Sequence, residues 1–315
     1  QRVWLLRSPS STRMPDVAVV LGSYASEHHL AECIGSLRVQ SLEPAELLVV
    51  DASSPDRSAA TAEALGARVL VVPNRGLAYL YNRGVEVTSA PYVLLSNVDV
   101  AYHPHCLELL AAALDGDERR FAADARQLDW ETGEVVHART TLRPGRLVRE
   151  YLPGLHLDHR VEAEGVVPTL NTHGAAMLVR RRCFDELGGF DETFFMDWED
   201  LDLCWRGWLR GWPSVHVADA RVQHRGGATT GVRLASSHHN LLRFALKCLP
   251  PSAAARVVAG ELLRLPRHPR AITRAGIDVA AELPEIVRLR RRIGSGAALL
   301  AWMLAGQPDP GPTLG

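Results

Sequence analysis

The sequence predicts an α/β protein: a doubly wound, mostly parallel central sheet flanked by helices, followed by an α-helical C-terminal extension. Four short apolar runs carry the first part of this reading: DVAVVL (16–21), ELLVVD (46–51), ARVLVV (67–72) and the strand within PYVLLSNVDV (91–100). They are apolar throughout rather than alternating, which suits strands buried on both faces of a parallel sheet. Helical patterns with short connections separate them, and this β-α-β-α alternation argues a doubly wound fold. The extension rests on the stretch beyond Gly231, which is helical in pattern over 233–248, 252–264, 268–282 and 284–306, with breaks at Pro250-Pro251, Pro266 and Pro269.

Taken in order, residues 28–39 place Leu30, Cys33, Ile34 and Leu37 at helical spacing after the first strand. Helices are expected over 58–66, stopped by Gly66, then over 77–88 and 104–114. DWETG (129–133) reads as the turn of a hairpin. Residues 141–165 hold Pro144, Gly145, Pro153, Gly154 and Gly165, and read as a mobile loop over a site. One strand is expected over 166–181, a helix from about Asp200 to Gly211, and a strand over 214–224 ending in His224. QRVWLLRSPSSTR, ahead of Met14-Pro15, reads as a flexible leader over 1–14.

With 315 residues, 47% of them hydrophobic, the chain can bury a large core. A formal net charge of −1 gives no global attraction to nucleic acid. The distribution is uneven: from Arg243 to Arg292 there are eleven Arg or Lys against four acids. The amphipathic ELPEIVRLRRR within this stretch suits either contact with anionic lipid or packing on the catalytic domain or a homodimer partner. Five scattered cysteines without a CxxC pair read as reduced thiols of a cytoplasmic protein. No apolar run reaches the eighteen or so residues that a membrane-spanning helix needs.

In a doubly wound sheet the ligand sits beyond the carboxyl ends of the strands. Here those ends offer Ser23, Asp51, Asn74 and Asn97 to Asp99, acids and amides suited to a nucleotide. The dinucleotide fingerprint GxGxxG and the phosphate loop GxxxxGK[ST] are both missing, which argues against a dinucleotide enzyme or a P-loop NTPase. Asn97 and Asp99 put two oxygen-bearing side chains on one face of an extended segment, the pattern of a Mg2+ or Mn2+ site shared with a diphosphate, or of a simple turn. His224 reads as a third metal ligand or as a loop histidine. The stretch GGFDETFFMDWEDLDL (188–203) holds six acids among three Phe and a Trp. Carboxylates beside aromatic rings in a partly dry cleft make a general base; a solvated acidic turn is the other reading.

Together these segments resemble the inverting family 2 glycosyltransferases with the GT-A fold, and within them the rhamnosyltransferase-like branch. The likeness covers about residues 15–292. YASEHHLAECIGSLRVQ resembles the family's opening strand and helix, VVDASSPDRS its VVDNGSxDGS segment, and NRGLAYLYNRG its N-x-G-x-x-x-x-x-N-x-G. LLSNVDV is similar to LLNPDV, a version of the DxD motif; GAAMLVRR, GGFDETFFMDWEDLDLCWR and QHRGG follow in the family's order. Two departures stand out: Asn97 replaces the first Asp of DxD, and Val98 replaces the Pro of the N-P-D branch.

The resemblance implies a GT-A catalytic domain over 15–232, with a nucleotide-binding half (15–115) and an acceptor-binding half (116–232), followed by a helical region over 233–315. It implies that Asp51 accepts the pyrimidine N3–H, that Ser23 lies near base and ribose, and that Asn74, Gly76, Asn82 and Asn97 line the nucleotide diphosphate. Asp99 and His224 would hold Mg2+ or Mn2+. Trp198, Gly174 and Ala175 would meet the acceptor. Glu199 and Asp200 form the catalytic motif, with Asp200 as general base and Asp202 and Arg206 as its structural supports. The expected reaction moves a sugar from dTDP-rhamnose or a UDP-sugar to a hydroxyl of a glycan, a lipid-linked acceptor or a small glycoside. A peripheral location at the inner face of a membrane would suit a lipid-linked acceptor. A non-catalytic nucleotide-sugar-binding or scaffold protein of the same fold is the alternative from another class. A nucleotidyltransferase would want a Gly-rich basic loop after the first strand, which LGSYASEHH is not.

Overall fold

The computed structural model describes residues 14–144, 155–226, 233–294 and 296–305. The elements in order are β1 (Val17–Ser23), α1 (Leu30–Arg38), β2 (Glu46–Asp51), α2 (Ser58–Ala64), β3 (Arg68–Val71), α3 (Leu77–Glu86), β4 (Tyr92–Asn97), β5 (Val100–Tyr102) and α4 (Cys106–Asp115). There follow β6 (Ala122–Asp129), β7 (Val135–His137), β8 (Arg139–Pro144), β9 (Leu155–Val161), β10 (Val166–Thr169), β11 (Ala176–Arg180), α5 (Arg181–Leu187), α6 (Glu199–Leu209) and β12 (Ser214–His224). Four helices close the described chain: α7 (Arg233–Cys248), α8 (Pro251–Arg264), α9 (Pro269–Ile293) and α10 (Ala297–Leu304).

The main sheet runs β10-β12-β6-β11-β4-β1-β2-β3, with β5 beside β12 and β7 beside β6. Strands β3, β2, β1 and β4 are parallel. β11 enters antiparallel between β4 and β6. After β3 the chain crosses β1 to lay down β4 on its far side, so the crevice at the carboxyl ends of β1 and β4 is the switch point where such sheets bind ligands.

Burial explains the uninterrupted apolar runs. Val17, Val19 and Leu21 of β1 face one layer with Leu30, Ile34 and Leu37 of α1 and Leu110 of α4. Ala18 and Val20 face the other, with Tyr81 and Val85 of α3 and Phe184 of α5. Both faces are covered, so alternation with polar residues would bury polar groups without partners. A third core joins α6 to α7, α8 and α10 through Leu201, Trp205, Phe244, Val257 and Met303.

Three sequence expectations need correction. Residues 166–181 form two strands, β10 and β11, separated by the turn that carries His173 and Gly174. Part of the expected loop over 141–165 is ordered: β8 and β9 pair antiparallel, Leu142 opposite Leu157, and only 145–154 falls outside the described residues. Pro284 does not end a helix; α9 runs through it for 25 residues. Pro284 and Ala280, the residue whose carbonyl loses its N–H partner, are both exposed, so water satisfies that carbonyl. Buried Val279 and Ile286 anchor the helix on either side of it. The leader call, residues 1–13 within it, lies outside the described residues. The five cysteines are buried free thiols.

Candidate active site

The rim of the crevice is built at the ends of β1 and β2. Ser23 and Asp51 are register partners and both are buried. Asp51 accepts the Ser54 amide at 2.8 Å and the Ser54 hydroxyl at 2.6 Å, and Ser23 Oγ lies 3.4 Å away. The Ala25 amide donates to Ser54 Oγ at 3.0 Å, which stitches the two loops together. Among the described residues four non-glycines adopt left-handed φ: Ala25 (49°), Ser53 (54°), Asp197 (65°) and Trp198 (78°). The first two lie in these loops and the last two directly precede Glu199. Such strain concentrates where function over-determines the backbone.

Asp99 and His224 meet because β5 pairs antiparallel with β12, placing Val100 opposite His224. His224 Nε2 is 3.4 Å from Asp99 Oδ1. On its other side His224 Nδ1 lies 3.0 Å from Gln127 Oε1, a contact that orients the ring with Nε2 toward Asp99. Burial raises the Asp99 carboxyl, but the hydrogen bond and charge of His224 and the charge of His29 outweigh it and hold it below the usual range. An ionised oxygen donor, an imidazole and a supporting amide fit a Mg2+ or Mn2+ ion. Among the described residues no cluster of three or more His, Cys, Asp or Glu could hold one, so phosphate oxygens or water would complete the shell.

The two neighbouring carboxyls at the start of α6 have different environments. Glu199 is buried and its Oε2 has no hydrogen-bond partner in the protein. Burial first, then the charges of Asp200 and Asp197, push it well above the usual carboxylate range, which favours its uncharged form. Asp200 is half-buried. Its Oδ1 accepts the Leu201 amide at 2.7 Å and its Oδ2 the Gly174 amide at 3.3 Å. Burial pushes Asp200 up to about 6, with these amides pulling the other way. A half-open carboxylate with that affinity for protons is mostly ionised at pH 7 yet basic enough to take one.

Other predicted residues are placed differently from one another. Asn74 is exposed and caps the Gly76 amide at 3.4 Å. Gly76 has φ 95°, and a Cβ there would stand 2.1 Å from the Phe195 carbonyl oxygen, so the approach it permits is to the acidic stretch. Asn82 commits its side chain to that stretch as well, donating to the Phe190 carbonyl at 3.0 Å and Glu192 at 2.9 Å and accepting from the Phe190 amide at 2.9 Å. Asn97 receives the Tyr81 hydroxyl at 3.0 Å; that hydroxyl also lies 3.1 Å from the Gly174 carbonyl. Ala175 is wholly buried, and its carbonyl accepts from Ser96 Oγ at 2.6 Å. Trp198 packs on Phe244 of α7, ring centroids 5.4 Å apart.

Sequence reasoning missed two groups. Asp124, fully buried on β6, binds His137 Nε2 at 2.9 Å, His216 Nδ1 at 2.8 Å and the His173 amide at 3.1 Å. It therefore holds one amide of the turn whose next amide holds Asp200. The only sequence signal was an acid set among the apolar residues Phe121, Ala122, Ala123 and Ala125. The second group is Arg243 and Lys247, both buried on α7. Arg243 binds Asp191 at 2.9 Å and Glu282 at 2.8 Å; Lys247 binds Asp191 and Asp202, each at 2.6 Å. Asp202 also pairs with Arg206 at 2.8 Å. The acidic stretch thus draws its counter-charges from the C-terminal helices.

A mostly parallel sheet with a switch-point crevice, flanked by helices, is the GT-A fold of glycosyltransferases. The profile described as Glycosyl transferase family 2 matches residues 18–188, and the chain belongs to that family. It is 29% identical over 257 residues to N-acetylglucosaminyl-diphospho-decaprenol L-rhamnosyltransferase of Mycobacterium tuberculosis, covering 72% of this chain and 82% of that one. It is 25% identical to glucosyl-dolichyl phosphate glucuronosyltransferase of Haloferax volcanii over 182 residues, 56% of each chain. Among solved structures, GalNAc-T7 with UDP, GalNAc and Mn2+ aligns with a TM-score of 0.63 at 14% identity, over 76% of this chain and 49% of that one. The mannosyltransferase PcManGT of Pyrobaculum calidifontis, with GDP-Man and Mn2+, aligns at 0.55 and 18% identity, over 96% and 82%. Among the described residues no helix is long and apolar enough to cross a membrane.

Proposed function

We propose that this chain transfers a sugar from a nucleotide diphosphate sugar to an acceptor hydroxyl with inversion at the anomeric carbon. The carrying observation is the half-buried Asp200 carboxylate, pushed up to about 6 beside buried Glu199, whose carboxyl is raised well above the usual range. Asp200 takes the proton of the acceptor hydroxyl as that oxygen bonds to the anomeric carbon. The bond from that carbon to the diphosphate oxygen breaks on the opposite face, and the nucleoside diphosphate leaves with the electron pair. The Gly174 amide orients Asp200, and burial of Glu199 disfavours a second charge beside it.

Asp51 and Ser23 would read the pyrimidine and ribose, Asn74, Gly76, Asn82 and Asn97 would line the diphosphate side, and Trp198, Gly174 and Ala175 the acceptor side. Asp99 and His224 would hold Mg2+ or Mn2+, which neutralises charge developing on the leaving diphosphate. We assign catalysis to residues 15–232, donor half 15–115 and acceptor half 116–232, with 233–315 as a helical buttress. The name of the mycobacterial relative supports a rhamnosyl donor, dTDP-rhamnose rather than a UDP-sugar in our reading, and a lipid-linked acceptor, which a peripheral location at the inner face of a membrane would suit. A non-catalytic sugar-nucleotide-binding protein would have no use for two adjacent carboxyls whose affinity for protons is raised.

A donor panel decides. The full chain is incubated with dTDP-rhamnose and with UDP-sugars, with Mn2+ and a prenyl-diphosphate-linked sugar, and the product's anomeric configuration is read by NMR. Transfer with inverted configuration is expected; retention of configuration, or binding without turnover on any donor, overturns the assignment.

A further inference from the structure

We propose that the outer face of α8 and α9 docks on an anionic lipid surface. This inference rests on the chemistry of these helices rather than on the donor or acceptor assignment, so its failure would leave the transferase reading untouched.

Two independent patterns coincide there. The first is apolar exposure. Ten large apolar side chains among the described residues are exposed, and five of them, Leu262, Leu263, Ile277, Leu283 and Val287, sit on these two helices. Leu262 and Leu263 are 61% and 67% exposed. Between the helices runs an open groove of about 550 Å³, walled by Ala254, Val258 and Leu262 on one side and Leu283, Val287 and Arg290 on the other. Burying a Leu or Val side chain is worth about 1.5–3 kcal/mol, so leaving this many in water calls for something to cover them.

The second is charge. Residues 251–293 hold nine arginines against four acids, a formal +5, while the rest of the chain stands at −6, which together make the net −1. Of the acids, Glu261 is buried against His238 and Arg264, Glu282 is taken by Arg243 and His239, and Asp278 pairs with Arg274. Arg256, Arg267, Arg270, Arg288, Arg291 and Arg292 are exposed. Arg291 stands one helical turn beyond Val287 on the same row, and Arg290 lines the groove itself.

An apolar strip fringed by arginines complements an acyl layer beneath negative headgroups. A second copy of this chain would present the same arginines to one another, and like charges across an interface are costly. Charge complementarity therefore selects the lipid surface over self-association.

The test is co-sedimentation of the full chain with vesicles of phosphatidylcholine alone and with equimolar phosphatidylglycerol and phosphatidylcholine. Binding to the anionic vesicles only, weakening with added salt, is expected. The Arg288→Glu, Arg291→Glu, Arg292→Glu triple variant should bind about a hundredfold more weakly, since each arginine contributes roughly fivefold. The Leu262→Glu, Val287→Glu variant should also lose binding while keeping the wild-type urea midpoint. Equal binding to both vesicle types, no binding to either, or wild-type binding by the triple variant overturns the proposal. So does a dimer in sedimentation equilibrium that the Leu262→Glu, Val287→Glu variant abolishes, which would assign the face to a second copy. The salt dependence of the wild type decides even where a variant fails to fold.

Discussion

The ammonium of Lys247 lies 2.6 Å from the carboxylate of Asp202, and both groups are shut off from water. The same ammonium reaches Asp191 at 2.6 Å, so one side chain of α7 neutralises two acids of the stretch that carries the catalytic motif. Removing one partner of a buried ion pair strands the others. Lys247→Met should therefore cost about 3 kcal/mol of stability, measured as a lower urea midpoint at unchanged slope.

Acid should act on the same cluster. Desolvation raises the Asp191 carboxyl, but the charges of Lys247 and Arg243 overcome it and hold it well below its ordinary value. A depressed carboxyl contributes stability in full above its unfolded pKa, about 3.9, and loses it as the pH falls toward the lower folded value. Thermal stability should drop below about pH 4, and less steeply in Asp191→Asn, whose amide has no charge to lose.

Asp200→Asn should leave donor binding, read by thermal shift, near wild type while turnover falls by about 10²–10⁴-fold. Wild-type turnover in this variant would refute Asp200 as base. Glu199→Gln, which keeps a neutral group of the same shape, should stay within about tenfold of wild type, because burial and the charges of Asp200 and Asp197 already favour the uncharged form of Glu199.

The raised Asp200 carboxyl sets two pH signs. Activity should fall as the pH drops through about 6, where the base is protonated. Folding runs the other way: ionising a group whose folded pKa is raised costs stability as the pH climbs from the unfolded value toward 6. Asp200→Asn should accordingly be more stable than wild type at pH 7, by about 1–2 kcal/mol after allowance for partial exposure, and the difference should shrink toward pH 4.

Removing divalent metal with EDTA should stop transfer, and Mn2+ should restore it. Gln127→Leu deprives His224 of the partner that orients its ring and should raise the Mn2+ concentration needed for half activity by about 10–100-fold. Unchanged activity in EDTA would remove the metal from the reading.

Much of this site is legible along the chain. The strand ends at Ser23, Asp51 and Asn97, and the His224 that closes β12, fall where local patterns put them. Each is fixed by its own neighbours: a buried strand stops where polar residues begin. The acidic run was also visible, but not what relieves its repulsion. Arg243 and Lys247 are visible in the sequence only as members of a basic C-terminal stretch, because burial of a charge depends on what folds over it.

The sequence by itself determined the doubly wound sheet, the polar ends of its strands and the family, since these follow from hydrophobic period and from short motifs in a set order. Only the tertiary structure located the switch point and separated the two neighbouring carboxyls of α6. Asp200 and Glu199 are adjacent in the chain and chemically alike, and they differ only because the Gly174 amide meets one, from 26 positions away, while the core closes over the other. A pKa is set by what surrounds a group in space, and no period or motif encodes that.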